Sequence, residues 1–239
     1  KINISGNTRT IDKVIRREFS LSEGDAINKY AINYSRDSIR ALNFFSNVEV
    51  NEVRTSFPDK LDLEIEVEEK NTGEASLGAG YSSSTAASIN LGLKETNFLG
   101  KGQKVNFSTS FSNTRNTYDI SYTEPYFNNK KLSLTGNLYS NFTDPGSVNY
   151  ETEDLGIGVK ARFPLSSSTS FEARYSLFTA KVKADSNATD YERLLAGTDT
   201  NSTIGYSLMY DKRDSRYKPS SGFNFEINQD LAGLGGTSY

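Results

Sequence analysis

Apolar and polar residues alternate along residues 88–111. Ile89, Leu91 and Leu93 are interleaved with Asn90, Gly92 and Lys94. Beyond Gly100, Lys101 and Gly102 the alternation resumes, with Val105, Phe107 and Phe111 set against Lys104, Asn106, Ser108 and Ser110. A period of two sends apolar side chains to one face of a strand and polar ones to the other, so the stretch predicts two antiparallel strands joined by a Gly-Lys-Gly turn. Each arm is about ten residues long, which a tilted strand needs to cross a bilayer core. The same period recurs in Tyr118, Ile120 and Tyr122; in Leu155, Ile157, Val159, Ala161 and Phe163; in Ile204, Tyr206, Leu208 and Tyr210; and in Phe223, Phe225 and Ile227. Nine strands are expected, over residues 74–82, 88–98, 103–112, 117–127, 132–142, 152–163, 169–182, 202–212 and 223–231.

Residues 1–70 follow a different rule. A short strand at 1–5 and a turn at Gly6 and Asn7 precede a helix through Val14, Ile15 and Phe19, with Thr10 as its N-cap and Asp12 near its positive end. A second helix is expected after Asp25, with Ile27, Tyr30, Ala31, Tyr34, Ser38 and Leu42 along one face and Phe44 and Phe45 closing it. Strands at 48–55 and 60–69 follow, joined by a turn at 57–59. In the second, Leu61, Leu63, Ile65 and Val67 alternate with Asp62, Glu64, Glu66 and Glu68, so helices can cover the apolar face and water the acidic one. The order is strand, helix, helix, strand, strand. Composition changes at 69–73 from charged to rich in Gly, Ser, Thr, Asn and aromatics, which divides the chain into 1–70 and 71–239.

Alternation alone also fits a soluble sandwich or a lipocalin-like barrel with the oily face inward. The long strands, the Ser, Thr, Asn and Gly of the polar face, and uneven connections point instead to a membrane barrel. Turns at 99–102, 128–131 and 164–168 are short, whereas loops at 143–151 and 183–201 are longer and fall at the opposite strand ends, which puts 1–70 on the short-turn, periplasmic side. A one-residue slip would place Lys94, Lys160, Arg162 and Arg174 against lipid, at about 2–4 kcal/mol each near the midplane. Nine strands leave two free edges, and residues 232–239 read as a loop leading to a further strand, so a portion of a larger barrel is expected.

Composition refines this picture. Mean hydropathy is −0.58, as expected when every second strand position is polar, and no apolar run is long enough for a transmembrane helix. Fourteen Tyr and fourteen Phe suit interfacial girdles. The chain opens at Lys1 without Met or an apolar leader, which suggests processing or trimming. With no Cys and no His, the usual routes to disulfides, thiolate or imidazole metal sites and nucleophile–histidine pairs are closed. No catalytic residue, metal or cofactor is expected, nor an enzyme. A net charge of −3 without a basic run gives no nucleic-acid surface. Asp185, Asn187 and Asp190 lack the spacing of a calcium loop, and no helix follows Gly100–Gly102 to make a phosphate loop.

An ordered set of motifs carries a family resemblance. It comprises Gly6-Asn7-Thr8-Arg9-Thr10, Val14-Ile15-Arg16-Arg17-Glu18, Glu23-Gly24, Leu42-Asn43-Phe44-Phe45-Ser46-Asn47-Val48, Glu68-Glu69-Lys70-Asn71-Thr72-Gly73 and Leu77-Gly78-Ala79-Gly80-Tyr81-Ser82. Further on come Asn97-Phe98-Leu99-Gly100-Lys101-Gly102, Glu124-Pro125-Tyr126-Phe127 and Asp211-Lys212-Arg213-Asp214 with Pro219 and Gly222. Together they resemble the BamA-type outer-membrane β-barrel assembly proteins, in which periplasmic POTRA repeats lead into a sixteen-stranded barrel. The resemblance implies an α+β POTRA domain at 1–70, followed at 71–239 by the N-terminal part of an antiparallel transmembrane β-barrel, nine of the expected sixteen strands.

The implied function is non-enzymatic insertion and folding of β-barrel proteins at the bacterial outer membrane, with the POTRA domain in the periplasm. Implied partners are nascent outer-membrane β-barrel proteins, lipoproteins of an assembly complex and outer-membrane lipid. Incoming strands would pair with the edge formed by Ala75, Leu77, Gly78, Ala79, Gly80 and Tyr81; the ordinary reading of the glycines is relief of crowding in the lumen. Arg16, Arg17 and Glu18 match the family stretch that meets a partner lipoprotein, and would otherwise be a solvated helix face. Asp211, Arg213, Asp214, Pro219 and Gly222 form a turn motif at the periplasmic rim, or else a plain polar turn. A POTRA-barrel transporter that secretes a polypeptide, a passive porin-like channel, and the barrel of an enzyme with its catalytic domain upstream remain open.

Overall fold

The computed structural model describes residues 1–57, 60–83, 86–214 and 219–233. The turn expected at 57–59 lies partly outside them, as does most of the tail at 232–239. The chain divides into two compact units, Lys1–Glu74 with Glu95–Lys104, and Ala75–Lys94 with Val105–Tyr239.

In the first unit β1 (Ile2–Ser5), α1 (Asp12–Arg16), α2 (Lys29–Ala41), β2 (Phe45–Arg54) and β3 (Leu61–Glu69) follow in the expected order. The sheet order is β1-β3-β2; β1 runs parallel to β3 and β2 antiparallel to it. A parallel pair needs a crossover, which the helical segment supplies. Leu63, Ile65 and Val67 are buried as the alternation predicts, against Val14, Ile15, Ile39 and Val48, while Glu66 and Glu68 stay exposed.

The helices differ from expectation in two ways. Ile11, not Thr10, holds the N-cap position of α1, and the helix stops at Arg16 before Phe19. Thr10 is buried and bonded elsewhere. The cap of α2 is Asn28, whose side chain accepts from the Tyr30 N–H at 2.9 Å. Its buried stripe is Ile32, Ser35 and Ile39, whereas Ile27, Tyr30 and Tyr34 are exposed. Both stripes have helical spacing. The sheet takes the aliphatic one, and Ser35 fits between the isoleucines because its hydroxyl donates to the Ala31 carbonyl and accepts the Ser20 N–H.

The second sheet contains β4 (Gly73–Ser82), β5 (Ala86–Phe98), β6 (Gln103–Ser112), β7 (Arg115–Glu124), β8 (Ser133–Thr143), β9 (Tyr150–Pro164), β10 (Thr169–Ala184), β11 (Gly197–Asp211) and β12 (Asn224–Ala232). Among the described residues the nine pair strictly in chain order, with β4 and β12 at the edges. Register aligns the apolar positions across strands: Ile120 faces Leu138, Leu138 faces Ile157, and Ile157 faces Leu177. Every strand shows exposed apolar residues on this face, from Leu77 of β4 through Ile120, Leu138 and Ile157 to Ile227 of β12. Lys160, Arg162, Glu172 and Arg174 share the other face, where Arg162 pairs with Glu172 at 2.7 Å. The sheet is therefore oily side out, the register that keeps charge from lipid.

Connection lengths sort less cleanly than expected. Residues 113–114 join β6 to β7 tightly at the end expected to carry long loops, while 125–132 and 212–223 are long at the other end. The loop expected at 183–201 shortens to 185–196 and contains α3 (Asp190–Leu195), a helix the loop assignment passed over. Thr189 and Glu192 form its capping box. Backbone N–H groups of Thr189 and Asn149, then the Thr189 hydroxyl, hold the Glu192 carboxyl down to about 2.

Candidate functional site

The residues expected to receive an incoming strand, Ala75, Leu77, Gly78, Ala79, Gly80 and Tyr81, all lie on β4, whose ten residues are exposed and whose neighbour is β5. A Cβ added to Gly78 would lie 3.9 Å from that of Asn90, and one on Gly80 would lie 3.2 Å from the Ser88 hydroxyl. The Ser76 hydroxyl reaches the Gly92 carbonyl at 3.5 Å. Ser76, Gly78 and Gly80 therefore occupy the polar face, leaving Leu77, Ala79 and Tyr81 on the apolar one. Five of the ten are Gly or Ala, whose side chains offer a neighbour no polar group and little apolar contact. The free side of such a strand presents backbone donors and acceptors, each costing several kcal/mol if left unpaired in hydrocarbon. Its chemistry is that of a template for one more strand.

Arg16 closes α1; it donates to the Ile2 carbonyl at 2.9 Å, stands 3.8 Å from Glu23 and is 43% exposed. Arg17 and Glu18 lie past the helix end, 3.6 Å apart and only 16% and 15% exposed. A solvated helix face thus describes Arg16 alone. Arg17 is turned toward the 99–102 turn, which belongs to the same compact unit: a Cβ on Gly102 would approach its guanidinium to 2.5 Å.

That turn is built into the first unit. The Ile11 N–H donates to the Gly100 carbonyl at 3.0 Å, and the Asn97 amide donates to the Thr10 hydroxyl at 2.8 Å while accepting the Gly102 N–H at 2.8 Å. Gly100 has φ of 70° and sits so close to the Arg9 carbonyl that any Cβ would overlap it, which only glycine permits. Beside it the Glu69 carboxylate, 7% exposed, accepts the N–H groups of Thr8, Arg9 and Thr10 at 3.1, 2.9 and 2.6 Å and the Thr8 hydroxyl at 2.8 Å. Burial alone raises its pKa, but the Thr10 hydroxyl, then the N–H groups of Thr10 and Arg9 and the Thr8 hydroxyl, prevail and bring it down to about 2. None of this follows from sequence spacing. The signal that was present is that Gly6–Thr10, Glu69 and Asn97–Gly102 all fall within the matched motifs.

The rim motif is more organised than a plain polar turn. Arg213 donates Nε and an Nη group to the two oxygens of Asp211 at 2.9 Å each, and Asp214 accepts the N–H groups of Ser220 and Ser221 at 3.0 and 3.2 Å as well as the Ser220 hydroxyl. Gly222, at φ of 93°, lies against the Lys212 carbonyl, and Pro219 precedes the serines that Asp214 holds. β4 and the β11–β12 connection stand at opposite ends of the strand order in the second sheet, and Arg16, Arg17 and Glu18 belong to the first unit. Among the described residues no group of three or more acidic side chains converges as a metal site.

Residues 97–239 match the Omp85 superfamily domain, and residues 1–70 match the POTRA family, described as a surface antigen variable number repeat. The chain is 32% identical over 251 residues to the outer membrane protein assembly factor BamA of Neorickettsia risticii, covering 99% of this chain and 32% of that protein. It is 26% identical to BamA of Neisseria meningitidis, covering 97% of this chain and 31% of that one. A sorting and assembly machinery component 50 homolog of Xenopus laevis is 29% identical, over 84% of this chain and 44% of its own length. The chain thus spans about a third of the length of the bacterial relatives. In fold it is similar to the crystal structure of BamA from Haemophilus ducreyi lacking POTRA domains 1–3, with a TM-score of 0.78 at 23% identity, covering 98% of this chain and 48% of that one. CdiB from Acinetobacter baumannii is more distant, with a TM-score of 0.55 at 12% identity over 97% of this chain and 45% of that one.

Proposed function

Because the chain belongs to the Omp85 superfamily, we propose that it is the barrel-proximal POTRA domain and N-terminal barrel strands of an outer-membrane protein assembly factor, one that folds and inserts β-barrel proteins at the bacterial outer membrane. The observation that carries this is β4: the strand that opens the nine-stranded sheet, half of it Gly or Ala and so poor in side-chain anchors, in a sheet whose apolar face runs its full breadth. An incoming strand that pairs with β4 satisfies its own backbone groups inside the hydrocarbon and those of β4 at once, so the edge lowers the barrier to insertion without covalent chemistry. The work is done by backbone hydrogen bonds and lipid contact, with no catalytic residue and no cofactor. The first unit faces the periplasm, where the exposed Arg16 is a contact for an acidic surface of an assembly lipoprotein. A passive channel would give this unit no role.

The test is cross-linking of a stalled client. The chain has no cysteine of its own, so once any cysteine elsewhere in the parent is replaced by serine, an adduct reports the introduced thiol. In the intact parent protein, Leu77→Cys and Ala79→Cys should each form a disulfide with a cysteine in the client's terminal strand, in a register that moves by two residues between them. Ile227→Cys on β12 should form none. Equal trapping on β12, or no trapping on β4, would sink the reading.

A further inference from the structure

The polar face of the second sheet holds a hollow of about 330 Å³ between Asn137 of β8 and Thr203 of β11. Its floor is one row of the ladder, in which Asn137 stands opposite Gly158, Gly158 opposite Ser176, and Ser176 opposite Thr203. Small residues in the middle of that row make the space. A Cβ on Gly158 would run into the Asn137 amide, so glycine is what lets this amide lie across β9. The rows to either side form the walls. One carries Lys160 opposite Arg174; the other carries Tyr139, whose ring tip lies over Gly156.

Asn137, Tyr139, Lys160, Ser176 and Thr203 therefore bring an amide, three hydroxyls and an ammonium to one hollow from four strands. Among the described residues none of the five has a hydrogen-bond or ion-pair partner. All five can donate. The carboxylate that lines the hollow, Asp230, is already engaged, because both its oxygens accept from Arg174 at 2.8 Å. Arg174 also donates to the Ser207 hydroxyl. Lys160 thus faces a cation across the ladder, a like-charge pairing that costs stability until an anion offsets it. Asp230 does this for Arg174; among the described residues no acid pairs with Lys160.

We propose that the hollow is a site for a phosphate-type oxyanion, with Lys160 supplying the charge and Asn137, Tyr139, Ser176 and Thr203 the neutral hydrogen bonds. Such an ion presents acceptors on all sides, which suits donors that converge from four strands. A cation is repelled by Lys160 and Arg174, and an apolar ligand would leave five donors unpaired. This face of the sheet is turned from lipid, so the anion comes from solution and not from a lipid headgroup. The site is separate from strand pairing at β4 and does not depend on it.

Trace acetylation of lysines in the intact parent protein in detergent micelles, read by mass spectrometry, tests the site. Saturating inorganic phosphate, compared with chloride at equal ionic strength, should slow acetylation of Lys160 by about tenfold and leave the exposed Lys131 unchanged. Ser176→Ala with Thr203→Val removes two neutral donors and should weaken the phosphate protection by about tenfold, with the rate in chloride unaltered. If the double variant does not fold, Ser176→Ala alone should weaken protection by about threefold. Absence of slowing at Lys160, equal slowing at Lys131, or undiminished protection in the variants overturns the site. So does a Lys160 that resists acetylation in chloride as well, because another part of the parent then already covers it.

Discussion

Ile65 and Ile157 both sit in strands whose neighbours alternate in polarity, yet Ile65 is 0% exposed and Ile157 is 51% exposed. In the first unit the apolar face of the sheet is covered by α1 and α2, and the same residue types that form its core are left open in the second. Alternation states that a strand has an oily side; it does not state what the oily side meets. Around Ile65 that was decided by helix-period segments nearby in sequence. Around Ile157 it was decided by their absence and by the charged residues on the opposite face, which form ion pairs there. One unit buries its apolar surface in itself, and the other is built to have a solvent of hydrocarbon.

The sharpest way to break this contrast is to make one substitution in both places. Ile65→Arg buries a guanidinium without a partner and should cost more than about 4 kcal/mol, seen as loss of protease resistance in the first unit. Ile157→Arg should cost less, about 2–4 kcal/mol near the midplane, and only in a bilayer; urea unfolding from vesicles measures it. Equal costs in the two places would mean that the second sheet has a hidden core.

A smaller effect is particular to the first unit. Because the folded pKa of Glu69 is depressed to about 2 from an ordinary 4.5, its stabilisation is complete above about pH 4.5 and drains away as pH falls toward 2. After allowance for solvent screening it amounts to on the order of 2 kcal/mol. Denaturation followed against pH should show Glu69→Gln already lacking this increment at neutral pH and losing less on acidification. The smallest expected effect lies in neither core nor lipid: Thr189→Ala removes the α3 capping box, should cost about 1 kcal/mol locally, and should be visible as faster proteolysis within 185–196 with strand protection unchanged.

Strand number and strand faces were legible because a period of two, held over many residues, admits few alternatives. Where two readings had the same period, residue pattern could not choose between them. The stripe of Ile27, Tyr30 and Tyr34, which begins just before α2, has the same spacing as that of Ile32, Ser35 and Ile39 within it, and only docking on the sheet separates them. Thr10 looked like a helix cap because cap chemistry is local, but its hydroxyl is engaged by Asn97, 87 residues away. The Glu69 nest and the Arg174–Asp230 pair are equally long-range, and spacing carries no information about such partners. Thr189 followed three residues later by Glu192 has the spacing of a capping box, a signal that the reading of 183–201 as a loop did not use. The seam and rim residues came from the resemblance; that Arg17 and Glu18 are turned inward, and Arg16 alone outward, needed coordinates.

Arg174 of β10, Gly205 of β11 and Asp230 of β12 stand opposite one another in one row, and this bears on the order in which the sheet is made. Every ladder of the nine-stranded sheet joins chain neighbours, so each strand can zip onto the one before it as soon as it arrives, whatever has still to follow. The Arg174–Asp230 bond is different, because it closes only when three consecutive strands are in place. A slip of one residue in β12 would send Asp230 to the opposite face, into lipid and away from its partner. That single bidentate contact thus serves as a parity check on these three strands, and a misregistered intermediate would carry an uncompensated charge on each side of the membrane wall until it rearranged.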